Sequence, residues 1–254
     1  HPLGPKADRV QAVLDDLLAS QSDGRTIHQG WSPQCEKVPA SDLEWGALKT
    51  TAIQPGEFLP EHNKRLPAEK APKPGLEVRP GDVLLTCAGP RSRCGVACLV
   101  TVTPPRLMIS GKMYRFRFDS RHLDPRFMEY YLLGSEAWSA IDEMKTGVSD
   151  SGLNLTQGRI RTLPVPVPPL AEQRRIVAAI EEHFSRLDAA EAALHAVTKR
   201  RQILVNQLID SAWSKGFQTV RLEDVLAEPL ANGRSVRTEP GGFPVLRLTA
   251  LRNR

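Results

Sequence analysis

The sequence predicts an α+β fold: a β-rich globular domain, then a long coiled-coil-type helix, then the start of a second domain that repeats the first. Three observations support it. Strand-like segments and turns alternate in residues 1–169, no proline or glycine occurs from Leu170 to about Trp213, and the residues after 216 resemble the beginning of the chain. We therefore divide the chain into residues 1–169, 170–215 and 216–254.

The composition is that of a globular protein, with 41% hydrophobic and 25% charged residues. A membrane-spanning helix needs roughly 18 consecutive apolar residues, and no uncharged apolar run approaches that length. The segment His1-Pro2-Leu3-Gly4 has neither an initiator methionine nor the apolar core of a signal peptide. We expect a cytoplasmic protein, and the net charge of +5 modestly favours a polyanionic partner.

The cysteines do not predict a metal site. They are not arranged as paired C-x-x-C motifs, and the nearby histidines do not complete a zinc-binding pattern. We expect buried, reduced thiols at the four positions, which are Cys35, Cys87, Cys94 and Cys98.

Several segments of residues 1–169 have the pattern of strands. A buried strand is predicted at 83–88, after the turn at 79–82, and the β-branched segment 95–102 predicts another. Residues 112–118 alternate, which is typical of a strand with two different faces. One face carries Tyr114, Phe116 and Phe118, and the other carries Met113, Arg115 and Arg117.

One helix is predicted within this domain. Asp124 is a suitable N-cap, and Pro125 suits the first helical position. Aromatic and aliphatic residues then recur at helical spacing, which indicates a face packed against the core. These residues are Phe127, Tyr131, Trp138 and Ile141.

A second, much longer helix is predicted from Leu170 to about Trp213. The proline-rich segment 164–169 is an extended leader to it, and Gly216 follows it. Apolar residues recur every seven positions in two seams, interrupted by Arg201 in one and by His183 in the other, which is the pattern of a helix that packs against another helix. The seam residues expected to dock a partner are Ile176, Ile180, Leu187, Leu194, Val197, Leu204 and Leu208.

The end of the chain repeats its beginning. Three segments return in the same order, about 200 residues later, and three ordered matches are better evidence than any one alone. Residues 14–19 return as 222–227, 24–25 as 233–234, and 47–53 as 245–251.

Motifs for catalysis are missing from the sequence. No P-loop occurs, and no glycine-rich nucleotide fingerprint opens a helix after a strand. The spacing of Glu143 and Lys145 matches many nuclease sites, but the further carboxylate that would hold a metal is not placed for it. We therefore expect a protein without catalytic residues of its own.

Three segments carry side chains that could contact nucleic acid. The turn at 89–93 presents guanidinium groups, which suit phosphates and guanine. A glycine- and serine-rich loop follows Lys145, and a Lys-Thr-Thr segment lies in the repeated strand at 47–53. Ordinary solvated turns and a polar strand face remain alternatives for all of these. The candidate DNA contacts are Lys49, Thr50, Arg91, Ser92, Arg93, Lys145, Ser149 and Asn154.

The residues at the domain–helix junction resemble a known family. The proline-rich segment 163–169, followed by Glu172-Gln173 and Ile176-Val177, closely resembles the conserved signature of the specificity subunits (HsdS) of type I restriction-modification systems. Residues 81–85, Gly95 and the loop 147–154 resemble that family's target-recognition domain.

This resemblance implies a non-catalytic role in DNA recognition. In that family, two target-recognition domains each read half of a bipartite site in double-stranded DNA, and the conserved helices separate them and dock two methyltransferase subunits. A motor-nuclease subunit joins for cleavage, and S-adenosylmethionine and ATP belong to these partners. On this resemblance the chain corresponds to a specificity subunit that stops after its first recognition domain and helix.

Two alternatives belong to other functional classes. A coiled-coil adaptor without DNA binding would explain the seams and would associate through the long helix. A stand-alone nuclease or methyltransferase would need the motifs that the sequence lacks.

Overall fold

The computed structural model describes residues 10–214, 216 and 219–229. The chain separates into two compact units, residues 1–189 and 190–254, and the long helix contributes residues to both. The repeat segments at 233–234 and 245–251 lie outside the described residues. In the second unit the described residues comprise the rest of the helix and a short 3-10 turn, Leu222–Asp224.

Short strands and helices make up the described part of the first unit. The strands are β1 (Val10–Val13), β2 (Ile27–Gln29), β3 (Gly46–Leu48), β4 (Ile53–Gln54), β5 (Glu57–Phe58), β6 (Asn63–Arg65), β7 (Val83–Thr86), β8 (Ala88–Gly89), β9 (Ala97–Leu99), β10 (Leu107–Met108), β11 (Met113–Phe116), β12 (Leu153–Asn154) and β13 (Pro164–Val167). The helices are α1 (Leu14–Leu17), α2 (Pro125–Leu133), α3 (Ser135–Met144), α4 (Gln157–Arg161) and α5 (Leu170–Trp213).

A four-stranded antiparallel sheet forms the middle layer, in the order β2-β11-β7-β9. Its side chains alternate between two apolar clusters, as the period of a strand requires. Val83 and Leu85 enter one cluster, while Leu84 enters the other. On β11, Tyr114 and Phe116 lie in the first cluster and Met113 in the second, which confirms the predicted alternation.

Each face of the sheet is covered by different elements. The first face packs against helices, through Phe127, Met128 and Ile141 among others. The second face packs against short strands and turns, through residues such as Ile53 and Ile109. Both faces are therefore buried, which explains why the strands of this sheet are apolar on both sides.

Arg115 is the exception on the second face, since it is charged and only 1% exposed. Its guanidinium donates to the backbone carbonyls of Glu77 (2.6 Å) and Gly75 (3.0 Å) and to the Gln21 side chain (2.7 Å). Burial lowers the pKa of Arg115 to about 10. The buried carboxylate of Asp82 pairs with the adjacent Arg117 at 2.5 Å. Hydrogen bonds at Nη1 and Nη2 offset part of the cost of burying Arg115, whose Nε has no hydrogen bond among the described residues.

The predicted helix of the domain is two helices, so the prediction of a single one is wrong. Asp124 does cap the first, accepting a 2.8 Å hydrogen bond from the N–H of Arg126. Gly134 has an extended backbone (φ −71°, ψ 150°) and separates α2 from α3. Trp138 consequently packs against the second cluster, while Ile141 joins the first.

The proline-rich segment is extended as predicted and leads into the long helix. Strand β13 pairs antiparallel with β1, and α5 then runs from Leu170 to Trp213, which confirms the predicted limits. Gln173 is fully buried and bonds to the backbones of Asp124, His122 and Pro168. Val177 enters the core one turn later. The start of α5 is therefore fixed to the domain, whereas every residue from 181 to 214 is exposed.

All four cysteines are free thiols. Cys87, Cys94 and Cys98 are buried as expected, but Cys35 is half-buried. Burial raises the pKa of Cys87 to about 12.

Candidate nucleic-acid interface

The turn at 89–93 is held between two pieces of sheet. Strand β8, which leads into it, pairs with β12, and β9 follows it. Gly89 has a φ of +142°, a conformation that favours glycine. The N–H groups of Arg93 and Cys94 both donate to the carbonyl of Pro90. The predicted turn is confirmed, and it has a defined conformation.

Arg91 lies between two carboxylates. Its Nη1 is 2.6 Å from Asp142 and its Nε is 3.0 Å from Asp150, and the Arg91 side chain remains 48% exposed. The hydrogen bond to Asp150 and the charge of Asp142 raise the pKa of Arg91 above its ordinary value. The guanidinium is thus fixed in orientation and its charge is offset, while Nη2 has no hydrogen bond among the described residues.

Arg93 points into its own domain. Nη2 donates to the carbonyls of Thr50 and Ile53, both at 2.6 Å, and Nη1 donates to the Gln54 side chain at 3.0 Å. These bonds join the turn to the segment that carries Thr50. Arg93 therefore has a role in holding the turn to the domain.

Lys145 is also engaged within the domain. Its side chain is only 1% exposed, and its ammonium lies 2.8 Å from Asp142 and 4.5 Å from the centre of the Trp138 ring. It donates to the carbonyl of Arg91 at 3.1 Å. In this conformation its ammonium supports the turn rather than facing solvent.

Six of the eight predicted DNA-contacting residues belong to the turn or to the neighbouring loop, and Lys49 and Thr50 do not. Thr50 is joined to the turn through its carbonyl, which accepts from Arg93. The loop 146–154 lies beside the turn, because Asn154 pairs with Ala88 and the N–H of Arg91 donates to the carbonyl of Asp150. Ser92, Ser149 and Asn154 are exposed, and Lys49 and Thr50 are half-buried. We call residues 89–93 and 145–154 together the turn–loop surface.

A neighbouring groove was not predicted from the sequence. Two adjacent cavities, of about 600 and 570 Å³, share Gln29 and Gln157 in their linings. Cationic side chains line them: Arg25 and Arg161 the first, Lys112 the second. No carboxylate residue lines either one. Because the second cavity includes Ala88 and Asn154, this Arg25–Lys112 groove is continuous with the turn–loop surface.

Apart from Asn154, sequence patterns did not indicate the residues of this groove. Gln29 and Gln157 are far apart in the chain and belong to no motif, and tertiary folding brings them together. The carboxylates that hold Arg91 were missed for the same reason.

The predicted docking residues of α5 fall into two groups. Ile176 packs partly against the domain core, and Ile180 is half-buried. The others are exposed, with Leu187 at 64% and Leu194 at 68%. An apolar seam of this kind on one helix is typical of a surface that another helix covers.

Neither a metal site nor a membrane span is found in the described part of the chain. No three histidine, cysteine, aspartate or glutamate side chains come together there as a metal site. None of the helices there combines the length and the apolar character needed to cross a membrane.

Comparison with known proteins identifies the family. A family model described as "Type I restriction modification DNA specificity domain" matches residues 76–199. The Type I restriction enzyme EcoEI specificity subunit of Escherichia coli is 36% identical, over 83% of this chain and 34% of that protein. The EcoDI specificity subunit of Escherichia coli is 28% identical, over 48% of this chain and 25% of that protein.

A solved structure shares the fold. It comes from work on complex assembly and conformational transition of the type I R-M system, and it aligns with a TM-score of 0.52 at 20% identity, over 82% of this chain and 47% of that one. This chain spans about a third of the EcoEI subunit and about half of the solved chain. The family model matched at residues 76–199 and the 36% identity to the EcoEI subunit place the chain in the family of type I restriction-modification specificity subunits.

Proposed function

We propose that this chain gives DNA sequence recognition to a type I restriction-modification complex. Residues 1–169 bind one half of a bipartite site in duplex DNA, residues 170–215 dock the methyltransferase subunits, and residues 216–254 begin a second recognition domain. The observation that carries the proposal is the match of the DNA specificity model to residues 76–199, which include both the turn–loop surface and much of α5.

The turn–loop surface supports base recognition. Arg91 is held by two carboxylates and keeps a free Nη2, so its donors are oriented before DNA arrives. A fixed guanidinium recognises guanine through directed hydrogen bonds. Exposed Ser92 and Ser149 add hydroxyl groups that suit bases or phosphates. Four predicted contacts are half-buried or bonded within the domain. They either support the conformation of this surface or change conformation when DNA binds, and they are Lys49, Thr50, Arg93 and Lys145.

The free part of α5 supports docking of a partner helix. Its exposed leucines would each gain roughly 1.5–3 kcal/mol on burial. The first turns of α5 are anchored in the core through Gln173 and Val177, so a partner on the later turns would be held at a defined place on the chain.

The test of DNA recognition uses the chain assembled with the methyltransferase subunit of the same system. The modified sequence is first read from the host's methylome, and duplexes with and without that sequence are then compared for binding. We expect preference for duplexes that carry the site. Equal binding to a scrambled duplex across a salt series would overturn the proposal. Methylation or strand breaks by the pure chain with Mg²⁺, ATP and S-adenosylmethionine would contradict its non-catalytic role.

The test of docking uses Leu187→Asp with Leu194→Asp. Two charges in the seam should abolish co-purification with the methyltransferase subunit while leaving the domain folded. The matched control is Ser185→Asp with Ala192→Asp, which adds the same charges seven residues apart on the opposite face of the helix. If both variants co-purify fully, α5 is not the docking element.

A coiled-coil adaptor without DNA binding is the second candidate. The exposed seam favours it as much as it favours methyltransferase docking, because either partner would cover the same leucines. Tight self-association together with no affinity for any duplex at low salt would support the adaptor instead.

A further inference from the structure

We propose that the Arg25–Lys112 groove binds the sugar-phosphate backbone of the DNA, beside the turn–loop surface that reads bases. This inference rests on the proposed function and adds to it the part of the domain that carries affinity rather than sequence preference. It assigns a role to Arg25, Lys112, Thr156 and Gln157, which no sequence motif identified.

The first observation is that two cations of the groove lack a direct ion pair. Arg25 and Lys112 are exposed, and neither forms an ion pair with any of the described residues. Asp23 accepts hydrogen bonds from the His28 side chain and from the backbone N–H of Arg25, and the Arg25 charge acts on this carboxylate only at longer range, where it helps to lower the pKa of Asp23. The Arg161 guanidinium already bonds to Asp15 and to the Thr26 hydroxyl, so its charge is partly neutralised within the domain. Two cations of the groove thus remain available to an anion.

The second observation is a row of neutral donors. Asn154, Thr156 and Gln157 line the groove, and their side chains have no hydrogen-bond partner in the part of the chain described. Leu155 between them is buried in the core, so this segment has a fixed backbone. Asparagine, threonine and glutamine side chains, together with arginine and lysine, supply many of the contacts that proteins make to DNA phosphates.

The third observation is shape and position. The groove is concave, which suits a single strand of backbone, whereas the turn at 89–93 is supported from beneath by Arg93 and Lys145. Asn154 belongs to both regions. A duplex whose base edges meet the turn would therefore have a phosphate strand next to the groove.

The test is a salt series on the complex with the methyltransferase subunit. Arg25→Gln with Lys112→Gln should reduce the slope of log affinity against log salt by about 0.9 for each phosphate that is no longer neutralised. If two phosphates are no longer neutralised, the loss of affinity on going from 50 to 200 mM salt should be about tenfold smaller in the variant than in the wild type. Binding to cognate and scrambled duplexes should weaken alike, so sequence preference is unchanged.

Two controls make the result specific. Lys37→Gln with Lys64→Gln removes the same charge at exposed positions outside the groove and should leave the slope nearly unchanged. Arg25→Lys with Lys112→Arg keeps the cations and should retain the wild-type slope. An unchanged slope in the glutamine variant, or an equal fall in the Lys37 and Lys64 control, overturns the groove assignment while the proposed function stands. If the wild-type complex binds no duplex, both fail together.

Discussion

In the turn–loop surface every cationic side chain is held by acceptors of its own domain, whereas in the Arg25–Lys112 groove two of the three cations have no ion pair within the described residues. Arg91 and Lys145 share Asp142, and Arg93 donates to backbone carbonyls. The two regions adjoin at Asn154, so the difference is one of chemistry rather than of location.

This difference separates two ways of binding DNA. Affinity for the backbone comes from cations that displace counterions, and it is therefore steeply dependent on salt. Reading a base depends on donors in a fixed direction, and a guanidinium already offset by carboxylates adds direction without adding much attraction for phosphates. Because the unpaired cations and the cations paired with carboxylates lie in different regions, substitutions in one region can change affinity for DNA without changing the sequence preference set by the other.

The largest expected effect on recognition follows from Arg91→Ala. A bidentate pair between arginine and guanine gives roughly 1–3 kcal/mol of discrimination. Because Nε and Nη1 of Arg91 are already bonded to carboxylates and Nη2 is left free, we expect a value at the lower end of that range, so preference for the cognate duplex over a single mismatch should fall about fivefold to tenfold. The salt slope should change little, because the charge of Arg91 is already offset. Arg91→Lys, which keeps the charge and removes the fork, should weaken discrimination as well. A slope lower by about one with preference intact would make Arg91 a phosphate-binding residue instead.

Arg93→Ala should act on stability. Its guanidinium holds the carbonyls of Thr50 and Ile53, and hydrogen bonds involving a charged group contribute about 1.5–3 kcal/mol. We expect the free energy of unfolding, measured by urea denaturation, to fall by about 2 kcal/mol, with the salt slope of DNA binding unchanged in the folded protein. Wild-type stability together with a shallower slope would show that Arg93 leaves the domain to contact DNA.

Local rules predicted much of the fold. The limits of α5 follow from the prolines before it and from a run without helix breakers, and Asp124 caps α2 through a bond to a neighbour in sequence. Alternation on β11 predicted which residues share a face. The break at Gly134 was missed because the apolar spacing continues across it, although glycine is a weak helix former.

The site was less predictable, because its chemistry depends on contacts between distant segments. The sequence indicated the turn with Arg91 and Arg93, but not that carboxylates at 142 and 150 hold the first or that carbonyls at 50 and 53 hold the second. The number of basic residues in the sequence does not show which of them form ion pairs within the domain. The groove required the fold to bring residues near 25, 112 and 157 together.

Asp150→Asn should leave the charge of Arg91 less neutralised, so that the turn–loop surface, like the groove, attracts DNA phosphates. Arg91 loses one of its two carboxylates and gains a partly free charge, so the salt slope should steepen by up to about 0.9, and affinity for scrambled duplexes should rise. Asp188→Asn, an exposed change of the same charge on α5, is the matched control. A slope equal to wild type, or an equal steepening in the control, would show that Asp150 does not restrain Arg91.

The smallest expected effect concerns pH. The hydrogen bond from Lys145, followed by the charges of Lys145 and Arg91, holds the pKa of Asp142 below its ordinary value of 3.8. A carboxyl with a lowered pKa stabilises the fold above its unfolded pKa, and that contribution is lost as pH falls through the folded pKa. Because Asp142 is a third exposed, we expect only about 1 kcal/mol from it. The stability difference between wild type and Asp142→Asn should therefore be constant from pH 5 to 8 and shrink below about pH 4. A difference that instead changes between pH 6 and 8 would mean that a group other than Asp142 controls the charge at Arg91.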